Sequence, residues 1–181
     1  MHNGSIEVIC GGMFSGKTEE LLRRMKRAEI ARLGTLLVKP TTDTRYDATR
    51  VVSHNRQKGD AIPIQSAKDI FDLIDHRTEV VGIDEAQFFT NDLIETVTKL
   101  ANRGMRVIVA GLDLDFAARP FGPIPELLAI AEEVHKIHAI CTKCGDDASR
   151  SQRLTKEDAV VALGASESYE ARCRACFEPP L

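Results

Sequence analysis

No run in this 181-residue chain is apolar over the roughly twenty positions a membrane-spanning helix needs, and no signal peptide is read ahead of the first motif. The expectation is a soluble, cytoplasmic protein without a membrane partner. An excess of one charge is also missing. Lys and Arg number 24 against 27 Asp and Glu, a formal net charge of -3, so no overall basic field argues for nucleic acid as a partner and only a local patch would serve. Arg23-Arg24-Met25-Lys26-Arg27 is one such run, and it reads as the solvated face of a helix whose apolar side holds Leu22 and Met25. Internal repeats and low-complexity tracts are absent. The length excludes two large domains and suits one full domain with a small appendage.

The most informative stretch is Gly11-Gly12-Met13-Phe14-Ser15-Gly16-Lys17-Thr18. It fits a phosphate-binding loop, and it lies between an apolar strand, Ile6 to Cys10, and a helical pattern from Lys17 to Leu33. Glycines let the backbone wrap close to phosphates with its amides inward, Lys17 reaches the terminal phosphates, and the Thr18 hydroxyl is placed to ligate magnesium. ATP or a related nucleotide is the implied ligand.

Strands follow at Thr35–Lys39, Ala61–Ile64, Glu79–Asp84 and Met105–Ala110, alternating with helices around Ala67–Asp75 and Asn91–Asn102. A helix from Ile124 to Ala131 and a strand from Val134 to Ile140 complete the pattern. Such alternation predicts an α/β fold with a parallel sheet flanked by helices, of the RecA-like P-loop kind. After about Ala139 the character changes to polar, and the expected division is 1–139 for the nucleotide-binding domain and 140–181 for a small second one.

Val80-Val81-Gly82-Ile83-Asp84-Glu85 is a buried-type strand ending in two acids. Asp84 reads as the acid on the magnesium side, and Glu85 as a general base facing an attacking hydroxyl or water. Gln87 follows and is assigned to the phosphate side with them. Phe88, Phe89, Phe116 and Phe121 lie near the carboxyl ends of strands, where ligands of such sheets bind; singly each suits core or pocket equally, and as a set they suggest a pocket for a ring-shaped acceptor.

Four of the five cysteines form two C-x-x-C pairs, Cys141/Cys144 and Cys173/Cys176, with residues 145–172 between them. Two such pairs provide four thiolates for one tetrahedral structural zinc, which would staple the base of the intervening segment. Cys10 reads as a small buried hydrophobe.

Taken in this order, Gly12 to Thr18, Asp43-Thr44-Arg45-Tyr46, Asp84-Glu85-Ala86-Gln87-Phe88-Phe89, Gly111-Leu112-Asp113, Pro120-Phe121-Gly122 and the two cysteine pairs with Tyr169 before the second resemble the zinc-containing, cytosolic type of thymidine kinase over nearly the whole chain. The resemblance implies transfer of the ATP γ-phosphate to the 5'-hydroxyl of thymidine, with deoxyuridine as second substrate and Glu85 as proton acceptor. It also implies a zinc-stapled lasso in which Val160, Val161, Ala162, Leu163 and Gly164 read the base through their backbone. Met13, Phe88, Leu112, Phe116, Phe121 and Tyr169 would line the nucleoside pocket, and Asp43 and Arg45 would lie near ATP. Feedback by dTTP and a homotetramer are further implications.

Two other readings compete. An ATP-driven nucleic-acid module would need a basic second domain, whereas Arg150, Arg153, Lys156 and Arg172 are balanced by Asp146, Asp147, Glu157, Asp158, Glu167 and Glu170. A nucleoside monophosphate kinase would need arginines around the second phosphate, for which Arg119, Arg150 and Arg153 are the candidates, and the Phe-rich pocket argues against it.

Overall fold

The computed structural model describes residues 4–41, 61–154 and 168–179. Its centre is a six-stranded sheet of order β3-β2-β4-β5-β1-β6, built from β1 (Ser5–Cys10), β2 (Gly34–Pro40), β3 (Ile62–Ile64), β4 (Thr78–Ile83), β5 (Arg106–Gly111) and β6 (Glu133–Lys136). Every neighbouring pair is parallel. Parallel strands need crossovers that cover both faces, so both sides of each central strand are apolar. Along β1, Ile9 packs on the face covered by α1 (Lys17–Ile30), together with Leu21, Met25, Ala28, Val80 and Ile108. Ile6, Val8 and Cys10 point to the opposite face, where α3 (Asp92–Asn102) and α4 (Ile124–Ile130) supply Leu93, Val97, Leu100, Ile124 and Leu127. Between β3 and β4 the expected helix is a 3₁₀ turn, Ala67–Asp69, running into α2 (Ile70–Leu73); Ser66 and Asp69 close a capping box at its start.

Helix α1 differs from expectation in its sides. Leu22 is exposed while Leu21 is fully buried, and Arg24, expected in solvent, is buried. The reason is a ring of carboxylates at the edge of the sheet: the Arg24 guanidinium donates to Glu7 at 2.5 Å, Glu133 at 2.8 Å and Glu20 at 2.9 Å. Glu7 also accepts from Arg106 at 2.5 Å. A charged side chain is tolerated at such depth only when it is paired and hydrogen-bonded in this way.

The strand expected from Val134 to Ile140 is broken in two. β6 ends at Lys136, and β7 (Ala139–Ile140) pairs antiparallel with β8 (Asp147–Ala148) in a separate ribbon. Ile137 still donates its N–H to the Cys10 carbonyl, at the point where β1 gives way to the glycine loop, and the chain then leaves the sheet for the ribbon. β9 (Arg150–Arg153) and β10 (Tyr169–Arg172) form a second antiparallel ribbon. Among the described residues the ribbons share a small core of Ala139, Cys141, Ala148, Ala171 and Cys173, with Cys176 packed against it. No helix among the described residues is long and apolar enough to cross a membrane.

Candidate active site

The glycine loop leaves β1 and enters α1, as the strand-loop-helix motif requires. Gly11 has φ 147°, and a Cβ there would lie 2.1 Å from the Ile137 carbonyl oxygen, so glycine alone fits. The Ser15 hydroxyl donates to the Gly12 carbonyl at 2.7 Å and Lys17 Nζ to the same oxygen at 2.8 Å. Burial pushes the Lys17 ammonium below its ordinary pKa, and the charges of Glu85, Asp84 and Asp113 pull it back up. Phe14 is exposed, with a left-handed backbone.

Asp84 follows β4 and Thr18 lies in the first turn of α1; the Thr18 hydroxyl donates to Asp84 Oδ2 at 3.0 Å. A hydroxyl and a carboxylate converging beside a half-buried lysine form a hard-oxygen donor set that suits magnesium. Glu85 is exposed and held in a left-handed conformation, φ 51° and ψ 37°, a backbone state that a non-glycine residue keeps only where its surroundings enforce it. Enforcement comes from two sides. Its own N–H donates to Asp84 Oδ1 at 2.9 Å, and Gln87 Nε2 donates to its Oε2 at 2.5 Å. Gln87, expected at the phosphates, is buried on a 3₁₀ turn (Ala86–Phe88) and commits both ends of its amide to protein: its Oε1 accepts from the Leu112 N–H at 3.0 Å, beyond the end of β5. Gly122 is in the left-handed region, where a Cβ would fall 2.3 Å from the Gln87 carbonyl oxygen.

The aromatic set divides. Phe89 is buried in the core, whereas Phe88 is half-buried and meets Phe121 edge to face with centroids 5.8 Å apart. The Arg153 guanidinium lies 3.7 Å over the Phe116 ring and donates to the Tyr169 hydroxyl at 2.8 Å. Phe116 and Tyr169, far apart in the chain, thus share one stack. In the sequence Arg153 reads as a basic charge and as a candidate for a second phosphate, and the alternation of β9 gives no sign of this stacking role. Ser151 was not foreseen either: its hydroxyl accepts the Met13 N–H at 3.0 Å, joining the cysteine-bearing segment to the glycine loop. Asp43, Arg45 and residues 160–164 lie outside the described residues.

The ligand atoms of Cys141, Cys144, Cys173 and Cys176 all lie within 4.8 Å of one another. Against the cost of burial, backbone N–H groups of Cys173, Lys143 and Cys144 hold the Cys141 thiol down to about 6, while the neighbouring Cys144 and Cys173 sulfurs push Cys176 up to about 12. Four sulfurs so close could hold one metal ion, and thiolates in two C-x-x-C pairs fit structural zinc. Cys10 stands apart, fully buried in β1, its thiol pushed up to about 11 by burial.

Comparison with known proteins agrees with this geometry. The family model described as thymidine kinase matches residues 4–177. A thymidine kinase of Bacteroides thetaiotaomicron is 56% identical over 174 residues, covering 96% of this chain and 87% of that protein.

Proposed function

This chain belongs to the thymidine kinase family, and from that membership we infer how the residues gathered around the glycine loop divide the work of moving the ATP γ-phosphate to the 5'-hydroxyl of thymidine. The observation that carries the reading is the juxtaposition of two acids with different surroundings: Asp84 bonded to the Thr18 hydroxyl, and Glu85 held by the Gln87 amide. One is set for a cation and the other for a proton.

Thr18 and Asp84 would hold magnesium, which when bound supplies charge neutralisation at the β- and γ-phosphates. Lys17 turns from the Gly12 carbonyl to the triphosphate, whose charge relieves the cost of its burial. Glu85 accepts the proton of the 5'-hydroxyl as that oxygen attacks phosphorus, and Gln87 keeps its carboxylate in position. Phe88 and Phe121 form an apolar wall for the sugar and base, and the Phe116–Arg153–Tyr169 stack forms the side nearest the cysteine site. Met13 and Leu112 complete that pocket. Base reading by the backbone of 160–164, ATP contacts by Asp43 and Arg45, and acceptance of deoxyuridine are carried over from the family resemblance. So are dTTP feedback, a homotetramer, a cytoplasmic location and a division of the chain near Ala139.

The cysteine site would hold zinc and act mechanically, because the Ala and Cys core that the described residues form there is too slight to hold two ribbons together. The test of the reaction is ATP-dependent phosphorylation of thymidine, deoxyuridine, deoxycytidine, deoxyguanosine and thymidine monophosphate with magnesium present. Thymidine-selective product is expected. In the same assay Glu85→Gln should lower kcat by about 10²- to 10⁴-fold, the usual contribution of a general base, with ATP affinity retained. Near-normal turnover of that variant would sink the assignment of Glu85.

A further inference from the structure

Asp113 lies two residues beyond the end of β5 and is buried, yet among the described residues its Oδ1 has no hydrogen-bond partner. Its other oxygen is bonded to Lys136 Nζ at 2.6 Å, from the last residue of β6. The sheet order runs β5-β1-β6, and Cys10 at the end of β1 pairs with Gly111 on one side and Lys136 on the other. The Asp113–Lys136 pair therefore bridges the two neighbours of β1 at the root of the glycine loop. Its location is reinforced by backbone: Ile137, next to Lys136, bonds the Cys10 carbonyl, and the Asp113 carbonyl accepts the N–H of Phe121 in the pocket wall. The negative charge of Asp113 reaches Lys17, Cys10 and Arg150.

A buried carboxylate beneath a loop that receives a triphosphate works against binding unless it is neutralised. We propose that Lys136 is a positioning residue for ATP: it neutralises Asp113 and so keeps the field at the glycine loop favourable to the phosphates, without itself taking part in the transfer. The inference rests on the reading of that loop as the ATP site. It predicts an asymmetry. Losing the lysine exposes the phosphates to an uncompensated carboxylate, whereas losing both charges removes the repulsion along with its remedy. Thymidine carries no charge and is indifferent to either change.

The test is equilibrium binding of ATP with magnesium, and separately of thymidine, to the full chain and its variants, with a thermal melt on each. Lys136→Met should weaken ATP on the order of tenfold, as expected of a charge effect in a partly buried site, and leave thymidine within about twofold. Lys136→Arg should retain wild-type affinity, and the double variant Asp113→Asn with Lys136→Met should recover ATP affinity to within about threefold. Equal weakening of both ligands by Lys136→Met, or a double variant no better than the single one, would overturn the proposal. Failure of the unaltered protein to bind ATP would instead overturn the reading of the glycine loop.

Discussion

Replacing Gln87 by Met tests whether Glu85 works alone. Met keeps the length and flexibility of the side chain but removes both amide ends, the donor to Glu85 at 2.5 Å and the acceptor for the Leu112 N–H at 3.0 Å. Leu112 is half-buried, so its N–H left without a partner costs toward the lower part of the range of about 1–3 kcal/mol. For a chain of this size each kcal/mol lowers Tm by about 2–4 °C, giving a fall toward the low end of about 2–12 °C. The catalytic effect is separate. Glu85 occupies a strained left-handed conformation, and without the amide its carboxylate is free to swing; a displacement of about 1 Å is worth about 10²-fold in rate. The expected outcome is a kcat lowered by about 10- to 100-fold in steady-state phosphoryl transfer, with ATP affinity unchanged. If Gln87 acts through Glu85, the same substitution in a Glu85→Gln background should cost little more, since two residues serving one step are not additive. Full additivity, or an ATP affinity that falls in step with kcat, would refute the argument and return Gln87 to the phosphates.

Cys173→Ser should abolish bound metal, read as zinc content per chain, and weaken thymidine more than ATP, because β9 and β10 hold Arg153 and Tyr169 against Phe116; unchanged thymidine affinity in metal-free protein would contradict the mechanical role. Acid stability should follow Glu7. Burial raises its carboxyl, but the hydrogen bonds and charges of Arg106 and Arg24 outweigh this and hold it below its ordinary value of 4.5. A folded pKa below the unfolded one means that this stabilisation is complete above about pH 4.5 and is lost as pH falls through the folded value. Denaturant midpoints measured from pH 7 to 3 should therefore decline on the acid side, and Glu7→Gln should flatten that decline.

Strand-loop-helix around Lys17 was legible because all its determinants are local: an apolar run for β1, glycines where the backbone must turn back, and a helical period afterwards. β4 and its terminal acids were legible for the same reason. The cysteine pairs were legible because two C-x-x-C spacings have few structural uses besides a metal. The aromatic residues were not separable in this way. Phe88 and Phe89 are adjacent and chemically identical, and only the turn over Ala86–Phe88 sends one to the Phe121 ring and the other to the core. The run from Val134 to Ile140 has the composition of one strand, yet it divides where Ile137 is drawn to the Cys10 carbonyl, a contact no local pattern encodes.

By itself, then, the sequence determined the glycine loop between strand and helix, the two acids at the end of β4, the four thiols and the alternation that makes a parallel sheet, since each depends on residues within a few positions of one another. The tertiary structure decided what these groups touch. Placement of β5 between β4 and β1 brings the Leu112 N–H to Gln87, and placement of β6 on the other side of β1 brings Lys136 to Asp113. The return of β9 against the loop joins Ser151 to Met13 across 138 positions of chain. Local periodicity specifies which face of an element is buried, but which element lies beside it follows from the order in which strands enter the sheet, and that order is settled only when the whole core closes.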